Sequence, residues 1–126
     1  MPYKIIWETN STLTTWSGDT TGEELLAFVT ELHANPHFDS VRYSLHDFTA
    51  CTGVTYSLDS IETVAALDGA AGMSNSQIKV GIATERADVQ AMVTAYMSSE
   101  MSRYPVRVFT TIKEMRNWEA TDCDGK

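Results

Sequence analysis

The chain has 126 residues, 43% of them hydrophobic and 21% charged, which is one domain's length with enough apolar side chains for a core. Its net charge is −8 and its isoelectric point about 4.7. Phosphate backbones and anionic membrane surfaces therefore repel it, and nucleic acid is excluded as a principal partner. There is no apolar run long enough to span a bilayer and no signal-peptide pattern at the start, and Cys51 and Cys123 stand far apart. A cytoplasmic protein without a disulfide framework is the expectation.

Residues 3–8 and 12–16 read as two strands joined by a turn at Thr9, Asn10 and Ser11, hence an antiparallel hairpin ending at Gly18 and Asp19. Tyr3, Trp7 and Trp16 would pair across it. Thr21 and Glu24 have the spacing of a capping box, and Leu25, Phe28, Val29 and Leu32 follow as one helical stripe. Asn35-Pro36 stops that helix, because the residue before proline is pushed out of the helical region. Residues 40–50 then read as the central strand, followed by a loop.

A second helix follows, with Ser57 or Asp59 as its N-cap and Ile61, Val64, Ala65 and Leu67 on its buried side. Residues 78–83 are the next strand. Acidic Glu85 and Asp88 open a third helix carrying Val89, Met92, Val93 and Tyr96. Residues 104–109 form the last strand. Thr111 and Glu114 suggest another capping box before a short helix with Met115 and Trp118 inward. Residues 119–126 read as a polar, frayed tail, which leaves 1–118 as a single domain.

Strands alternating with helices indicate an α/β protein with a mainly parallel sheet. The strands themselves alternate in polarity. Val41, Tyr43 and Leu45 oppose Arg42, Ser44 and His46; Val80 and Ile82 oppose Lys79; Val108 opposes Arg107. The expectation is a sheet with its helices mainly on one face and Arg42, His46, Lys79 and Arg107 on the other.

Several segments together resemble a known family. They are the hairpin, the turn Ser17-Gly18-Asp19, the helix opening Thr21-Gly22-Glu23-Glu24-Leu25-Leu26, the strand end His46-Asp47-Phe48, and the closing strand and helix over residues 106–118. In this order they are similar to the SpoIIAA-like domains. That group includes the STAS anti-sigma-factor antagonists, the CRAL-TRIO lipid-binding domains and small stand-alone bacterial proteins of unknown function. The resemblance is greatest to the last. It implies an α/β fold with a five-stranded mixed sheet and four helices. It also implies a non-enzymatic binding module acting through protein-protein interaction or regulation, possible homodimers included. The alternative it implies is a carrier or sensor of a small apolar or lipid-like ligand.

The family's antagonists carry a phosphorylatable serine in an Asp-Ser-Ser/Thr-Gly motif at the start of the central helix. Here the matching residues are Asp59-Ser60-Ile61-Glu62, so the pair survives without the hydroxyl and glycine. Glu62 would also repel a phosphate on Ser60. A phosphosite at Ser60 is weighed against helix capping, and capping alone explains the residues.

No catalytic constellation, metal site or cofactor motif is expected. His33 and His37 are separated by helix-breaking Pro36, and Cys51 has no base or oxyanion hole marked beside it. Met92, Met97 and Met101 read as a core stripe partly exposed near its end. Ligands of open α/β sheets bind outside the C-terminal ends of the parallel strands. The loops there, 18–21, 47–58 and 84–87, place the candidate site at Asp47, Thr52, Tyr56 and Ser57, walled by Leu58 and Met92. Hydroxyls and helix N-termini in that position suit a ligand with an apolar body and a polar or anionic end.

Overall fold

A computed structural model of the protein describes residues 3–122. Cys123 and the rest of the expected tail beyond Asp122 lie outside the described residues. The hairpin is β1 (Tyr3–Trp7) and β2 (Ser11–Thr21), paired antiparallel with Tyr3 opposite Trp16. Then come α1 (Gly22–Ala34), a single 3-10 turn at Phe38–Ser40, β3 (Tyr43–Thr55), α2 (Leu58–Ala71), β4 (Lys79–Ala83), α3 (Ala87–Ser98), β5 (Val106–Phe109) and α4 (Ile112–Thr121). The sheet runs β1-β2-β3-β4-β5, and every pair after the first is parallel. This is the five-stranded mixed sheet with four helices expected from the alternation of elements.

The helices begin where local chemistry supplies caps. Thr21 accepts from the amide of Glu24, whose carboxylate accepts from the amide of Thr21, so two of the first-turn amides of α1 are satisfied. In α2 the box is Ser57 with Ser60, each side chain accepting from the other's amide, and Asp59 takes no part in it. At α4, Thr111 accepts from the amide of Glu114, but the Glu114 carboxylate reaches Thr110 instead of closing the box. Helix α1 stops with Asn35 extended at φ −75°, ψ 135°, as the following proline requires.

The hairpin strand and the central strand are longer than the sequence pattern suggests. Residues 51–55, read as loop, continue β3, and β2 continues through Thr21; from Ser17 and Ala50 onward the two pair only with each other. Twice β3 carries an extra residue against β2, between Asp47 and Ala50 and between Cys51 and Gly53. Gly18, at φ +67°, adopts on β2 a conformation open to glycine. The residues that look like turn residues serve these bulges. Asp47 Oδ1 accepts from the amide and hydroxyl of Thr49 at 2.9 and 2.6 Å, and Thr52 donates to Asp19 across the ribbon.

Helices α1, α2 and α3 cover one face and build the main core. There Leu25, Phe28, Ile61, Val64, Val89 and Met92 meet Trp16, Phe48, Ile78 and Ile82. Helix α4 covers part of the other face, where Met115 packs on Leu45 and Ala83. Lys79 lies on the α4 side, bound to Asp122, while Val80 and Ile82 lie in the core, as expected.

The expectation fails for β3. His46 is not on an open polar face: it is buried on the main-core side with Ser44 and Phe48, and Leu45 with Tyr43 faces α4. The physical reason is that a central strand packed on both faces buries both sets of side chains. Alternation there separates two packing partners rather than core from water.

Trp118 is not the last residue of α4. Helix α4 runs to Thr121, Glu119 pairs with Arg116, and Asp122 Oδ2 accepts from Lys79 Nζ and the Tyr43 hydroxyl, each at 2.7 Å. The last turn of α4 is thus anchored to the sheet.

Candidate ligand cavity

Between α1, α2, α3 and the sheet lies a cavity of about 90 Å³. A single water needs roughly 10–15 Å³, so the space admits several waters or a small organic molecule. Its lining is mainly apolar, with Phe28, Val29 and Leu32 from α1, Val64 from α2, Met92 from α3 and Ile82 from β4. The amphipathic stripes that the helical spacing revealed put these side chains there.

The polar groups are few and converge at two places. On the sheet, the Trp16 indole Nε1 donates to His46 Nδ1 at 3.1 Å, and His46 Nε2 lies 3.3 Å from Ser44 Oγ. The ring stands in an aromatic cluster: Trp16 stacks on Phe48 at 5.4 Å and 2°, and Phe28 meets His46 edge-on at 5.1 Å. Burial holds the His46 imidazole down at about 4, partly opposed by the Asp68 charge, so it is neutral at physiological pH.

At the partly exposed side, Asp68 from α2 accepts from the Tyr96 hydroxyl at 2.7 Å. His33 Nε2 of α1 lies 3.0 Å from Asp68 Oδ1, at ion-pair distance but without the alignment of a hydrogen bond. Burial, reinforced by Asp68, raises the pKa of Tyr96 far above the ordinary phenol value and pushes Tyr104 up to about 12. Both phenols are therefore donors; Tyr104 gives its hydrogen to the Asn75 carbonyl at 2.8 Å.

Of the sequence candidates, only Met92 lines this cavity. Asp47 is spent on the β3 bulge, Thr52 is exposed and bound to Asp19, and Tyr56 is half-buried against the core edge. Ser57 caps α2, and Leu58 is 70% exposed. Ser60 uses its hydroxyl within the cap, donating to the Ser57 carbonyl at 2.8 Å. Cys51 is a buried free thiol that donates to the Gly53 carbonyl.

Sequence reading missed Ser44, His46, His33 and Asp68. Ser44 and His46 stood on the supposed solvent face. Asp68 stands well apart in sequence from both His33 and Tyr96, so no local spacing joins them. One signal was present: a histidine in the middle of a β-branched and aromatic strand needs a buried partner, and Trp16 supplies it.

The fold defines the chain's class as SpoIIAA-like. Solved structures agree. The anti-sigma factor antagonist SpoIIAA in its unphosphorylated form matches with a TM-score of 0.62 at 6% identity, over 94% of this chain and 98% of that one. An uncharacterised protein of the DUF3478 family with a SpoIIAA-like fold, from Shewanella loihica PV-4, matches with a TM-score of 0.51 at 18% identity over 92% and 90%. SLC26A9 matches with a TM-score of 0.51 at 16% identity over 91% of this chain and 20% of its own length. No family model and no curated protein matches the sequence. At these identities the likeness defines the fold. Among the described residues, no helix is long and apolar enough to cross a membrane.

Proposed function

We propose that the chain is a non-enzymatic binding module that takes a small, mainly apolar ligand between its helices and its sheet. The observation that carries this reading is the apolar cavity of about 90 Å³ beneath α1, α2 and α3. Natural cores are packed to crystal-like density with few voids larger than water, so retained space of this size in a domain this small supports a ligand-binding role. Toluene is the direct probe. Its addition should shift the methyl resonances of Met92, Val29 and Ile82 saturably and raise the melting temperature. Unmoved core methyls at saturating toluene would refute the reading.

A protein partner is the second reading, after the likeness to an anti-sigma factor antagonist. One observation favours it: Leu58 is 70% exposed at the N-terminus of α2. Homodimerisation through this end belongs to the same reading. Sedimentation of the wild type and Leu58→Asp tests it, since self-association that the variant abolishes supports it and a monomer in both cases removes the dimer. Regulation by phosphorylation at Ser60 is not part of either reading, because its hydroxyl is engaged in capping.

A further inference from the structure

The residues around the cavity decide which polarity it accepts. An indole N–H can only donate. Trp16 Nε1 points at His46 Nδ1, so that nitrogen carries no hydrogen. In a neutral imidazole the hydrogen is then on Nε2, which faces Ser44 Oγ. Ser44 is therefore the acceptor of that bond, and its own hydrogen is the free end of a chain running from Trp16 through His46 to Ser44. Ser44 is 4% exposed and lines the cavity. Its neighbours on β2, Thr12 and Thr14, do not take that hydrogen: their buried hydroxyl oxygens have no hydrogen-bond partner.

The charges point the same way. The lining contains no lysine or arginine, and its one carboxylate, Asp68, stands beside His33 and Tyr96. An anionic head group would enter a low-dielectric space with no lysine or arginine to meet it and a like charge at its side. This departs from the polar or anionic end that the strand-end loops suggested.

We infer that the cavity takes an uncharged, mainly apolar molecule bearing a hydrogen-bond acceptor, such as a ketone, aldehyde or ester carbonyl, whose oxygen accepts from the Ser44 hydroxyl. The alkyl body lies among Val64, Ile82 and Met92. This rests on the cavity reading above and narrows it to one ligand chemistry.

The test compares methyl butyl ketone with pentanoate, which has the same heavy-atom skeleton size and a negative charge, with toluene as the purely apolar control. Binding to the whole chain is followed by the indole N–H resonance of Trp16 and the ring resonances of His46. The ketone should shift both saturably, and pentanoate at neutral pH should bind at least roughly tenfold more weakly. Ser44→Ala should weaken the ketone roughly five- to tenfold while leaving toluene unchanged. Should Ser44→Ala not fold, Ser44→Cys keeps the volume with a far weaker donor and serves the same purpose. Equal binding of pentanoate, or a ketone affinity indifferent to both substitutions, overturns the inference while toluene binding upholds the cavity. Failure of toluene as well overturns the cavity reading, and the ligand class falls with it.

Discussion

His46 shows how one buried residue makes stability depend on pH. Its folded-state pKa of about 4 lies below the ordinary 6.5, because burial penalises the charged ring. Between these values the unfolded chain binds the proton and the folded chain does not, so stability rises with pH across that window. The contribution is complete above about pH 6.5 and is lost as the pH falls towards 4, by on the order of 3 kcal/mol. The check is the His46 ring resonance itself, followed by NMR against pH; a midpoint near 6.5 would show that the ring is solvated. Ser57 permits a second test. It caps α2, so Ser57→Ala should cost about 1 kcal/mol in urea unfolding. Asp59→Ala should cost clearly less, since Asp59 accepts no capping bond.

Among the elements, α4 is the one whose docking separates this sheet from a one-sided one. Met115 is fully buried against Leu45 and Ala83, and Trp118 packs on Tyr43 and Phe109 at 5.4 Å. Gly81 makes room for that packing. A Cβ there would stand 3.0 Å from Leu45 Cδ2 and 3.1 Å from Met115 Cγ. Gly81→Ala should therefore crowd the Leu45 and Met115 side chains and cost roughly 1–3 kcal/mol, as overpacked cores do. Thermal unfolding measures the cost, and an unchanged melting temperature would mean that α4 yields freely.

In the whole molecule, α4 ties the turn after β1 and the sheet together. Arg116 of α4 holds Glu8 through two bonds of 2.8 Å, and Asp122 receives Lys79 and Tyr43. The Asp122 side chain is nearly buried, so losing its bonds leaves a lysine and a phenol without that partner. Asp122→Ala should lower stability by about 1–3 kcal/mol, read by denaturant unfolding. No change would return residues 119–122 to the frayed tail that their composition suggests. The three helices on the other face bridge the sheet, and the space beneath them is the cavity.

The order of strands and helices, the capping box at Thr21, the stop at Pro36 and the stripes of α1 and α3 were legible in the sequence, because each arises among residues within a turn or two of one another. Four features were not legible in the same way. The strand character of 51–55 was hidden because a bulged strand uses the threonine and glycine of a turn, and only pairing with β2 distinguishes them. The faces of Leu45 and His46 depended on a helix docking about seventy residues further on. The Trp16–His46–Ser44 chain joins β2 to β3 across a register that neither strand specifies alone. The cavity is likewise a property of how the side chains of three helices and the sheet fail to fill one volume. Local sequence determines what each segment is, by short-range sterics and hydrogen bonding. Which faces meet, and what space they leave, is decided only when distant segments pack.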